Sequence, residues 1–108
     1  MPLIVLLLLL GVTACTPLST AGRPPTNWQL AHEVVAGLPS RGQHKWASLT
    51  VEQQEEIIRI AEPFLLRWNT QRDPRALAVV LSTFSSAWNA KAPADPVHCT
   101  LLDTIVCH

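Results

Sequence analysis

Thr50-Val51-Glu52-Gln53-Gln54-Glu55-Glu56-Ile57-Ile58-Arg59-Ile60-Ala61, continuing as Glu62-Pro63-Phe64-Leu65-Leu66-Arg67-Trp68, is the stretch whose reading sets the fold class. Thr50 and Gln53 have capping-box spacing, in which each side chain can take the other residue's backbone N–H and so satisfy two donors that a helix start leaves without intrahelical partners. Glu52, Glu55 and Glu56 follow, placing negative charge near the positive end of the helix dipole. Ile57, Ile60, Ala61, Phe64, Leu65 and Trp68 then recur at helical spacing and predict one apolar face. Pro63 sits inside that run. It removes one backbone donor and its ring crowds the carbonyl of Arg59, so a kink or a break into two shorter helices is expected there. The polar stretch Arg67 to Arg72 contains Asn69, a residue suited to ending the helix.

Downstream, Asp73-Pro74 opens a further helix, with Asp73 as N-cap and proline at the first helical position, where its missing donor costs nothing. Leu77, Val80, Leu81, Phe84 and Trp88 form its stripe, and Pro93 and Pro96 prevent its continuation. Upstream, Thr26 or Asn27 can cap a helix from about Trp28 to Gly37, with Trp28, Ala31, Val34 or Val35, and Leu38 on one face. Ser40 to Ser48 reads as a polar connection, with Trp46 the one large apolar side chain in its middle. The two long helices each finish in Trp-Asn and lead to Asp-Pro, a faint repeat that ordinary helix stop and start chemistry also explains.

The tail, Val97 to His108, holds Cys99 and Cys107. A straight helix would separate these cysteines by about 12 Å at 1.5 Å per residue, beyond the roughly 4.4–6.8 Å between α-carbons that a disulfide spans. A disulfide therefore requires either a hairpin whose three-residue loop centres on Asp103 or a helical turn followed by a reversal. His98-Cys99 and Cys107-His108 also offer the ligand types of a zinc site, but neighbours in an extended chain point to opposite faces, so the expected state is the disulfide, with no metal and no cofactor. The expected fold is mostly α, a small bundle of three to four short helices over residues 26–108 with a disulfide-closed C-terminal tail.

Eight basic and eight acidic side chains balance, and no run of like charge occurs. Nucleic-acid affinity rests on clustered Lys and Arg that neutralise phosphates, so nucleic acid is not an expected partner. His32 and His44 have no metal partner at recognisable spacing, and the glutamates near position 55 are explained by their place in a helix start. No nucleophile-elbow, phosphate-loop or zinc-protease pattern is present. An enzyme is not expected. The aromatic set is skewed to four tryptophans and two phenylalanines with no tyrosine. Phe64 and Trp68, like Phe84 and Trp88, are spaced i, i+4 and share a face. These four rings can form the core, or a rim of them joined by an exposed Trp46 can form an apolar groove for a partner helix or peptide, since tryptophan is favoured at binding hot spots.

At the N-terminus an apolar run, Leu3 to Leu10, is followed by Gly11-Val12-Thr13-Ala14-Cys15. The run is too short for a spanning helix, which needs about 20 apolar residues, and fits a cleaved export signal. The arrangement resembles the lipobox of bacterial lipoproteins, in which an aliphatic residue, two small residues and an acceptor cysteine follow a short hydrophobic core. The resemblance covers residues 3 to 15 and implies that residues 1–14 are a signal peptide and that Cys15 carries the lipid. Its first contact is then the membrane. Thr16 stands where Asp is the usual inner-membrane retention signal in that class, which implies the periplasmic face of the outer membrane. Residues 15–25, with three prolines in Thr16 to Pro25, read as a lipidated cysteine and flexible tether that buries too little apolar surface to fold alone.

A lipid-anchored binding or assembly factor with a protein partner in the cell envelope is the expected function, similar in size and layout to secretion pilotins and conjugation lipoproteins. An immunity or entry-exclusion lipoprotein is one alternative, and a cell-wall hydrolase or phage-type lysis lipoprotein is another. The prolines, falling mainly in linkers and at helix boundaries, count against the lysis type.

Overall fold

A computed structural model describes residues 26–108. The lipidation site Cys15, the signal segment 1–14 and the tether 15–25 lie outside the described residues. Among those described, four helices precede a two-stranded antiparallel hairpin: α1 Asn27–Ala36, α2 Ser40–Ala47, α3 Val51–Gln71, α4 Pro74–Lys91, β1 Cys99–Leu101 and β2 Ile105–Cys107. None of these helices is long and apolar enough to cross a membrane.

Each long helix starts where its capping chemistry predicts. Thr50 and Gln53 close the capping box of α3, and Asp73 accepts the Arg75 N–H at 2.9 Å with Pro74 at the first position of α4. Thr26 and Gln29 form a second capping box at α1, a Thr-x-x-Gln match that the sequence carries as openly as the first. Pro63 does not break α3, which runs unbroken through Gln71. Pro63 and Arg59 are both exposed, so water can take the Arg59 carbonyl that the proline leaves without its helical donor. Nor does Asn69 end the helix. The stop comes at Arg72, whose φ of 48° is left-handed, a conformation that costs a non-glycine residue about 1–2 kcal/mol. Its guanidinium offsets that cost by stacking 4.3 Å from the Trp68 ring centroid and by reaching Glu33 of α1 at 2.6 Å.

Helix α3 packs against both α1 and α4, which rotates its buried face from the predicted stripe. Ile57, Ile58, Ala61 and Leu65 are buried, whereas Ile60 is 52% exposed. Facing them are Leu30, Ala31 and Val34 of α1 and Ala76, Val80, Leu81, Phe84 and Trp88 of α4. The two Asp-Pro segments behave differently, for Asp73 caps α4 while Asp95 adopts φ 55° in the loop that leads to the hairpin. They are not a structural repeat.

Ser40 to Ala47 is a helix, not a polar connection. It has no side-chain N-cap and contains Gly42, so its own residues favour a helix weakly. Tertiary contacts from three of its residues hold it. Gly42 lies against the disulfide, Lys45 reaches the loop after α4, and Trp46 enters the core. The glycine is required by close approach: a Cβ there would meet the sulfurs of Cys107 and Cys99 at 2.8 and 2.9 Å.

Of the two tail geometries, the chain adopts the hairpin. Cys99 pairs with Cys107, Thr100 with Val106 and Leu101 with Ile105, leaving Leu102, Asp103 and Thr104 as the loop. Cys99 and Cys107 are joined as a disulfide.

Candidate functional site

The hairpin is mounted on α4 through polar contacts to its backbone. The Trp88 indole N–H donates to the carbonyl of Val97 at 2.7 Å, and the Asn89 side chain both donates to that carbonyl at 2.9 Å and accepts the Val97 N–H at 3.0 Å. One turn earlier, the Ser85 hydroxyl accepts the Cys99 N–H at 2.9 Å and donates to the carbonyl of Leu81 at 2.8 Å. A strand this short cannot satisfy its own backbone, and α4 supplies the missing partners. Every buried polar side-chain atom among the described residues has a hydrogen-bond partner.

Lys45 on α2 is the one charged side chain among the described residues to be buried, at 6% exposure. Its ammonium donates to the carbonyls of Ala92, Ala94 and Asp95 at 2.6, 2.8 and 3.0 Å. Three donors meeting three acceptors is full satisfaction of the group, which offsets the cost of removing it from water. A small hollow of about 180 Å³, lined by His44, Lys45, Ser48, Ala94 and Asp95, lies beside this cage. With its donors engaged, Lys45 serves as a latch between α2 and the loop and has no N–H left for a substrate.

The aromatic residues do not form an open groove. Trp46, expected at the surface, is 4% exposed and stacks on Phe84 with ring centroids 5.2 Å apart and planes inclined by 20°. Phe84 in turn meets Trp88 at 6.4 Å, and both are fully buried. The reason is the helix itself: coiling residues 40–47 turns Trp46 inward, where a polar loop would have left it outside. Phe64 and Trp68 are half-buried and pack against the edge of this core from α3.

Besides Trp68, the aromatic side chain that meets solvent beside charged groups is Trp28, whose spacing puts it on the α1 stripe. It is half-buried, 5.2 Å from the ring of His32. With Asn27, Glu55, Ile58, Arg59 and Glu62 it lines a hollow of about 220 Å³ between α1 and α3. Asn27 donates to Glu62 across this seam at 2.7 Å, and farther along it Arg72 bridges Trp68 and Glu33. The α1–α3 seam therefore carries a half-buried indole near each end, with carboxylates and guanidinium groups between them. An amphipathic ring beside charges of both signs suits a polar peptide surface better than a small apolar molecule.

Of Glu52, Glu55 and Glu56, only Glu52 lies in the first turn of α3; Glu56, a turn further on, lies 2.8 Å from the Lys91 ammonium. The hydrogen bond and charge of Lys91 hold its carboxyl below the ordinary carboxylate value, with a smaller contribution from Arg59. A carboxylate held ionised in this way braces α3 against the end of α4. No group of three or more His, Cys, Asp or Glu side chains among the described residues is arranged to hold a metal ion. No protein-family model matches the chain, and no curated protein or solved structure shows similarity to it.

Proposed function

We propose that this protein is a non-catalytic, lipid-anchored binding or assembly factor on the periplasmic face of the outer membrane. The observation that carries the reading is the apolar run Leu3 to Leu10 closing on Val12-Thr13-Ala14-Cys15. The Cys99–Cys107 disulfide supports it, because such bonds persist in oxidising compartments of the cell envelope and are rare in the cytosol. A diacylglycerol on Cys15 together with an amide-linked acyl chain would supply the two lipid signals that stable anchoring takes.

The partner surface in this proposal is the α1–α3 seam around Trp28, in place of the buried Trp46 row. Two measurements test the reading. Cys15→Ser should move the protein from the membrane to the soluble fraction and remove the lipid mass, because a hydroxyl cannot form the thioether; unchanged partition and mass would refute the anchor. Arg59→Gln, which removes the exposed charge in the Trp28 hollow, should weaken in-cell cross-linking to the envelope partner while shifting stability by only about 0.5 kcal/mol. Cross-linking that persists unchanged would remove the seam from consideration.

A further inference from the structure

We propose that His98 and His108 form a two-imidazole site for a borderline divalent cation, Zn(II) or Cu(II), on the outer face of the hairpin. The alternation that makes His98 and Cys99 awkward joint ligands is what brings the two histidines together. The His98 N–H donates to the His108 carbonyl at 2.8 Å, and the His108 N–H donates to the His98 carbonyl at 2.9 Å. This reciprocal exchange defines a hydrogen-bonded antiparallel pair, whose α-carbons stand about 5.5 Å apart with both side chains on one face. The next pair is Cys99 with Cys107, so the sulfurs take the opposite face, toward Gly42, and the imidazoles face outward. Exposure follows this alternation: His98, Thr100, Val106 and His108 are exposed, while Cys99 is buried and Leu101, Ile105 and Cys107 are half-buried.

Two imidazole nitrogens bound to one tetrahedral ion at about 2.0–2.1 Å lie roughly 3.3 Å apart. Rings rooted about 5.5 Å apart reach that separation by leaning together, without backbone movement. Rigidity favours them further. The disulfide locks the register one residue away, and Trp88 and Asn89 hold Val97 on the other side of His98, so little ordering remains to oppose binding. The thiols are consumed in the disulfide, which leaves imidazole as the donor type and selects borderline ions over hard ones. With two protein ligands the remaining coordination positions belong to water, and the site is exchangeable, with Cu(II) bound more tightly than Zn(II) in the usual order of affinities.

The test is titration of the purified full chain, in detergent, with Cu(II) and separately with Zn(II). One equivalent should bind, the Cu(II) electron paramagnetic resonance spectrum should show two imidazole nitrogens, and saturating Zn(II) should raise the melting temperature because the paired ligands exist only in the folded chain. His98→Gln and His108→Gln should each weaken affinity at least tenfold and abolish the thermal shift. Both replace exposed side chains, so the metal-free melting temperature should stay in place. His32→Gln and His44→Gln should leave binding unchanged. Binding that survives in either tail variant, that follows His32 or His44, or that shows a single imidazole nitrogen overturns the proposal.

Discussion

The α3–α4 pair and the α2–hairpin pair are held together by different physics. Helices α3 and α4 carry strong caps and apolar stripes, so their packing is an extension of what each segment prefers alone. Helix α2 has a glycine, no side-chain cap and few apolar residues, while the hairpin has three residues per strand. Neither is a stable unit by itself. They persist because particular contacts join them to each other, to α4 and to the loop after it: Trp46 to Phe84, Lys45 to the carbonyls of Ala92, Ala94 and Asp95, Gly42 to the disulfide, Ser85 to the Cys99 N–H and Asn89 to Val97. A region built on stripes should tolerate the loss of one surface contact, and a region built on a few specific contacts should not.

The largest break in that contrast is Trp46→Ala. Removing a fully packed indole costs about 3–5 kcal/mol, and it should melt α2 along with the core beneath it. Calorimetry or urea titration measures the loss, and a change under 1 kcal/mol would mean that Trp46 is not packed as described. Next comes Lys45→Met, which keeps the apolar stem and deletes the ammonium. Loss of its hydrogen bonds to three carbonyls, with water from the adjacent hollow as a partial replacement, should cost about 2 kcal/mol. Amide exchange in residues 92–95 should accelerate more than exchange in α3.

A finer test is Gly42→Ala. The added methyl group meets both sulfurs and the Leu38 side chain, and overpacking of about 1–3 kcal/mol exceeds the roughly 1 kcal/mol that alanine gains over glycine in a helix. In a Cys99→Ala, Cys107→Ala background the sulfurs are gone and the same substitution should become stabilising. If its sign is the same in both backgrounds, the glycine is not there for the disulfide. The smallest effect belongs to the α3–α4 pair. Glu56 has a folded-state pKa below its ordinary value because of Lys91, so the pair's stabilisation is present above that ordinary value and is lost as pH falls through the lowered one. Lys91→Met should return the Glu56 titration midpoint, read from its side-chain carboxyl carbon by NMR, toward the ordinary value, with little change in melting temperature because the Glu56 side chain is half exposed and water screens the pair.

The α-helical class, the starts of α3 and α4, the stop before Pro93 and the cysteine pairing were all legible from residue order. Caps, dipole charges, stripes and ring closure act over a few residues, and local sequence contains everything they need. Tertiary structure decided the rest. Ser40–Ala47 became helical because anchors up to 50 residues away hold it, and this turned Trp46 from a candidate surface residue into part of the core. Packing against both α1 and α4 selected Ile58 over Ile60 as the buried neighbour on α3. Likewise, the facing of His98 and His108 depended on strand register, which the tail's two possible geometries left open until α4 supplied hydrogen-bond partners for one of them. Partners distant in sequence have no periodic signature, so these choices become visible only once the helices are in place.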